Sequence, residues 1–171
     1  GQDVGIHSGG YDPFSIDITD ALLPTGAQEI VVGVFDPTDS GEQPRGKQVH
    51  NPTDIWYTAS TGIWQTVWLE PVPSTRVESL RITPDVDNSR VLIRADVTGN
   101  TDRISVYASV STGEHIIASG YGTPNSEIAL SITNPKLWSP STPHLYDLRV
   151  SLIRQGQSID TVGSYFGMRK I

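Results

Sequence analysis

Cysteine is absent from the 171-residue chain. Disulfides and thiolate metal sites are therefore excluded. No apolar run approaches the ~18 residues of a helical membrane span, and no signal-peptide pattern is visible, so no membrane partner is assigned. Positive charge is scarce: 12 Lys and Arg stand against 19 Asp and Glu, for a formal net charge of −7 and a pI near 4.9. A phosphate-backbone partner needs a basic stripe. The densest basic pair in the first half is Arg45 and Lys47, and nucleic acid is set aside as a partner. His7, His50, His115 and His144 show no metal-ligand spacing, so neither a metal nor a cofactor is assigned. Helical periodicity of any length is missing as well.

What is present is a turn-rich composition, with 16 Gly, 12 Pro, 36% hydrophobic and 18% charged residues. It suits a folded chain rather than a disordered one. The length allows one large β domain or two small ones. In the first part, strands are expected at Gln2–Ile6, Phe14–Thr19 and Glu29–Phe35. A single helical turn at Asp20–Leu23 is expected to stop at Pro24. The stretch 36–51 has no periodicity and contains Pro37, Gly41, Pro44 and Gly46, so it reads as a long loop, and such loops are often functional. Ser60–Glu70 reads as a strand with both faces occupied, Ile63, Val67 and Leu69 on one and Trp64, Thr66 and Trp68 on the other. Cover on both sides is expected for it. Pro71 and Pro73 then end pairing and stiffen the chain. A domain boundary is placed there, giving 1–73 and 74–171.

From Arg76 the pattern becomes regular. Alternating apolar positions recur at Leu80–Ile82, Val91–Val97, Ile104–Val110, Ile116–Ala118, Ile128–Ile132, Tyr146–Leu152 and about Ser158–Phe166. Turn signals separate them at Asp87-Asn88, Gly99-Asn100, Thr112-Gly113, Pro124-Asn125 and Gln155-Gly156. Seven short strands over about 100 residues is the pattern of an immunoglobulin-like sandwich. The first part offers only about four strands, too few for two packed sheets. Its core is expected to be completed by residues that precede Gly1 in a longer polypeptide.

Four stretches of the first part carry a resemblance. They are Gly9-Gly10-Tyr11-x-Pro13-Phe14-Ser15-x-Asp17-Ile18-Thr19, Gln43-Pro44-Arg45-Gly46-Lys47-Gln48, Ile55-Trp56-Tyr57 and Thr61-Gly62-Ile63-Trp64-Gln65-Thr66-Val67-Trp68-Leu69-Glu70. They resemble the sugar-binding domain of glycoside hydrolase family 2, which includes β-galactosidases, β-glucuronidases and β-mannosidases. Asn134-Pro135-Lys136-Leu137-Trp138-Ser139-Pro140, His144-Leu145-Tyr146 and Gly167-Met168-Arg169-Lys170-Ile171 resemble the immunoglobulin-like domain that follows it. The resemblance implies an all-β chain: the C-terminal part of a jelly-roll, galactose-binding-like sandwich, then an immunoglobulin-like β-sandwich. It implies as partners the N-terminal jelly-roll strands and a TIM-barrel domain of a parent polypeptide, and a carbohydrate substrate reached through that parent. The barrel of such enzymes holds two catalytic glutamates ~5–5.5 Å apart, for retention of configuration. No catalytic residue is assigned within this chain: Asp3, Asp17, Glu29, Glu42, Glu70 and Glu78 read as solvated carboxylates.

Asp54 is the exception. By resemblance, an aspartate ahead of two bulky apolar residues reaches into the barrel's active site. There it contacts sugar hydroxyls or helps hold a monovalent cation. A carboxylate suits either role, since it accepts two hydroxyl hydrogen bonds and is a hard oxygen ligand. Trp56 and Tyr57 are candidates to stack on a pyranose face, with wedging against a neighbouring domain as the alternative. Arg45 and Lys47 are candidates to orient the loop against the barrel or an adjacent subunit, which leaves a homo-oligomer open. Trp138 is expected to pack within the immunoglobulin-like domain. Three functions follow: a non-catalytic segment of a family 2 glycosidase, a free-standing carbohydrate-binding module, or a structural immunoglobulin-like adaptor.

Overall fold

The computed structural model describes residues 1–170. The chain is all-β, and its one helical element among the described residues is a 3-10 turn, Thr19–Ala21. It divides into two compact units, Gly1–Trp68 and Leu69–Ile171. The boundary expected at Pro73 falls a few residues inside the second.

In the first unit, β1 (Gln48–Val49) and β2 (Tyr57–Thr58) form a small parallel pair. The helical turn expected before Pro24 is present as the Thr19–Ala21 turn. The strands expected at 2–6, 14–19, 29–35 and 60–70 do not form. A strand is held by a ladder partner and a covered face, and these stretches have neither among the described residues. The cover expected over both faces of 60–70 is likewise missing: Trp64 and Trp68 are 65% and 71% exposed. Local links hold this unit instead. The Trp64 indole N–H donates to the Gly10 carbonyl at 2.7 Å, and the rings of His7 and Phe14 stack at 4.3 Å. The Gln28 side chain bonds both the N–H and the C=O of Leu23.

The second unit is an immunoglobulin-like sandwich of seven antiparallel strands. They are β3 (Arg76–Asp85), β4 (Arg90–Thr98), β5 (Ile104–Thr112), β6 (His115–Gly122), β7 (Glu127–Ser131), β8 (Tyr146–Arg154) and β9 (Gln157–Phe166). One sheet has the order β3-β4-β7 and the other β6-β5-β8-β9. Alternation builds the core. Val91, Ile93 and Ala95 of β4 face Val106, Ala108 and Val110 of β5 and Leu148, Val150 and Leu152 of β8, all essentially buried. A slip of one residue on any of these strands would turn its whole apolar set to solvent.

Special residues fix the turns. Gln155 and Gly156 both have positive φ, the requirement of a two-residue hairpin between β8 and β9. The Asn125 N–H donates to the Ala95 carbonyl and its side-chain oxygen accepts from Val97 N–H, tying the β6–β7 turn to β4. Strand β6 is hydrogen-bonded to β5, yet it presses on β7 of the other sheet. A Cβ at Gly122 would lie 2.5 Å from Ile128 Cγ1, and one at Gly120 would lie 2.8 Å from Leu130 Cδ2. Glycine permits that close approach. Asp160 on β9 accepts Val77 N–H at 2.7 Å, joining the edges of the two sheets.

At the start of β8 the Tyr146 hydroxyl accepts Lys136 N–H at 2.7 Å, the tyrosine corner of sandwich domains. Trp138 is half-buried beside it in sequence. Its N–H donates to the Met168 carbonyl, Gly167 lies against its ring, and the Arg169 guanidinium sits 4.6 Å above that ring. It is a packing residue of this end of the sandwich. Ile171, the last residue of the final motif, lies outside the described residues.

Candidate functional site

The loop 36–58 holds the three residues singled out in sequence, Asp54, Trp56 and Tyr57. Its base is organised by short side chains bonding to backbone. Asp36 accepts Thr38 N–H at 2.7 Å, and the Thr38 carbonyl accepts the Gln43 side-chain amide at 2.7 Å. Thr38 is buried with φ of 56°, a left-handed conformation that a β-branched residue adopts only when its surroundings hold it. The Asp39 carboxylate contacts the His50 ring and also accepts His50 N–H. The His50 hydrogen bond holds the Asp39 carboxyl below its ordinary value. Asp39 and His50 thus close the loop eleven residues apart.

The tip is clasped across β1 and β2. The Tyr57 N–H donates to the Lys47 carbonyl at 2.9 Å, and the Lys47 ammonium lies 5.9 Å from the centre of the Tyr57 ring, at the edge of cation–π range. The Gln48 side chain donates to Ser60 Oγ and accepts Ser60 N–H. Between these ties a tight turn runs from Thr53 to Trp56, closed by Trp56 N–H donating to the Thr53 carbonyl at 3.0 Å. Asp54 sits in that turn with φ of 51°, a conformation in which Asp is among the better-tolerated residues.

Asp54 and Trp56 lie in this turn and Tyr57 directly follows it; all three are exposed, Trp56 by 40% and Tyr57 by 63%. A carboxylate can accept sugar hydroxyls and exposed rings can stack on a pyranose face, and all three residues are open to solvent. Lys47 meets Tyr57 from within the loop, through its carbonyl and its ammonium. That contact, the Asp39–His50 tie and the Gln48–Ser60 pair were not legible in sequence. Each joins residues ten to twelve apart across a segment with no periodicity.

Known proteins bear on both units. The family model described as "Glycosyl hydrolases family 2" matches residues 75–169. A putative beta-glucuronidase of Formosa agariphila is 33% identical over 99% of this chain, which spans 21% of that protein. A beta-galactosidase of Thermoanaerobacter pseudethanolicus is 26% identical over the whole chain, which spans 24% of it. The chain thus spans between a fifth and a quarter of the length of these curated relatives. Among solved structures, a glycosyl hydrolase family 2 member from Bacteroides cellulosilyticus DSM 14838 shares the fold. It covers 57% of this chain and 16% of its own, with a TM-score of 0.52 at 20% identity.

Proposed function

The chain belongs to glycosyl hydrolases family 2, and from that premise we propose that it is a non-catalytic segment of a β-glycosidase. In this reading the whole protein hydrolyses O-glycosyl bonds of β-glycosides with two carboxylates on a TIM barrel. The present segment braces that barrel and lends the loop 41–57 to the rim of the substrate pocket. Asp54 accepts hydrogen bonds from sugar hydroxyls there, while Trp56 and Tyr57 supply ring surface.

The observation that carries the reading is the clasped loop tip itself. The Lys47–Tyr57 hydrogen bond and the Thr53–Trp56 turn fix the backbone that carries Asp54, Trp56 and Tyr57, all three exposed, and this supports the reading. A tip held this way loses less conformational entropy when it closes on a ligand than a free loop would. The exposed tryptophans and aliphatics of the first unit, Val31, Trp64 and Trp68 among them, support the bracing role, since large apolar side chains left in solvent in such number favour a covering partner.

The test is Asp54→Ala in the full polypeptide from which the chain comes, assayed on aryl β-galactosides and β-glucuronides. Loss of a charged hydrogen bond to substrate is expected to lower kcat/KM by about 10–100-fold. An unchanged kcat/KM would remove the loop from the pocket. Calorimetry of the 171-residue chain with the aryl β-galactosides, which carry no carboxylate, separates the rival reading. No heat of binding is expected, and saturable binding would make the chain a carbohydrate-binding module instead.

A further inference from the structure

One end of the second unit carries a pocket that the proposed function does not use. It lies between the β5–β6 turn and the connection from β7 to β8, and holds about 500 Å³, within the range of small-molecule sites. Its charge is opposite to that of the chain. Acids outnumber bases 19 to 12 overall, yet this wall includes Lys136 and His115 and no carboxylate among the described residues. Glu114, next in sequence to His115, is exposed and is not part of the wall. Neither the Lys136 ammonium nor the His115 ring has an ion pair or hydrogen bond among the described residues.

The rest of the lining is of two kinds. Thr112, Thr133 and Asn134 add hydroxyl and amide groups; Ile117 adds exposed apolar surface, and the almost fully buried Ile132 and Tyr146 form the floor. The wall is also held in place. Lys136 N–H is fixed by the Tyr146 hydroxyl, Ile132 N–H donates to the Ser89 carbonyl at 2.8 Å, and Thr112 pairs with His115 across the hairpin. Two unpaired basic groups beside one exposed isoleucine, on fixed backbone, suit an amphiphilic anion. The ammonium and imidazole meet a carboxylate, the neutral polar groups take up its remaining lone pairs, and Ile117 receives the body that bears it.

We infer that this pocket binds a small carboxylate carried on an apolar or ring-shaped body. The site is independent of the Asp54 loop and of the proposed glycosidase role. Sodium benzoate is a direct probe, with benzamide as its neutral isostere and inorganic phosphate as an anion without a body. Titration of the ¹⁵N-labelled 171-residue chain is expected to give saturable shifts at the amides of Thr112, Thr133 and Asn134. Benzoate is expected to bind about tenfold more tightly than benzamide, the worth of one charge-assisted hydrogen bond. Phosphate is expected to bind more weakly than benzoate. Lys136→Ala keeps the N–H that Tyr146 accepts, so the corner stays intact, and it is expected to weaken benzoate about tenfold. His115→Gln is a second variant at an exposed position and is expected to weaken it in the same direction. Equal affinity for benzoate and benzamide would overturn the inference. So would phosphate binding more tightly than benzoate, an unaffected Lys136→Ala variant, or shifts confined to residues away from the pocket.

Discussion

The two units differ in where their apolar side chains go. In Leu69–Ile171, strands β4, β5 and β8 turn alternate residues into one shared core, and the largest of them are wholly buried. In Gly1–Trp68, residues of the same kind stay in solvent: Val31 is 83% exposed and Phe35 89%. Both halves contain β-branched and aromatic residues in alternating runs. Alternation alone therefore does not make a strand. It becomes one when a ladder partner and an opposite layer are both supplied.

That contrast can be broken with a matched pair of substitutions. Ile93→Ala opens a cavity in the second unit's core and is expected to lower its stability by about 2–5 kcal/mol. Val31→Ala removes a similar group from an exposed site and is expected to change stability by less than about 0.5 kcal/mol. Urea unfolding of both variants checks this, and equal costs would erase the distinction between the units. A smaller effect sharpens the same picture. Tyr146→Phe keeps the buried ring but leaves Lys136 N–H without its acceptor, for an expected loss of about 1–2 kcal/mol in the same assay.

The smallest expected effect is electrostatic and confined to the surface of the second unit. Arg90 and then Asn88 hold the Asp85 carboxyl below its ordinary value, and Arg94 and then Ser79 do the same for Asp96. A carboxyl lowered in the folded state stabilises it fully above the ordinary carboxylate range. That contribution is lost as pH falls through the lowered value. Thermal midpoints measured from pH 6 down to pH 2 are expected to fall less steeply for Asp85→Asn than for the unsubstituted chain. Because both groups face solvent, the difference is expected to be small and to shrink further in salt.

Much of the second unit was readable from residue order. Its seven apolar runs each became a strand, and the turn signals at Gln155-Gly156 and Pro124-Asn125 mark real reversals. The pattern held because turn chemistry and alternation point the same way there. That β6 packs against β7 of the other sheet was not readable. It depends on Gly120 and Gly122 lying against Ile128 and Leu130, contacts between residues whose spacing shows no period. In the first unit, the run 60–70 reads as a strand from its own side chains. What would pair with it and cover it is not encoded in that run. For the candidate site, the grouping of Asp54, Trp56 and Tyr57 was visible because they are near neighbours in sequence. The Lys47 clasp that presents them was not, since it forms across ten residues of loop.

Amide hydrogen exchange of the 171-residue chain tests the contrast between the units most directly. The core strands of the second unit, at Val91–Ala95, Val106–Val110 and Leu148–Leu152, are expected to exchange slowly, and residues 29–35 and 60–68 at close to the rate of an open chain. Slow, cooperative protection across 29–35 and 60–68 would contradict the account, because it would mean that the first unit covers its own apolar residues.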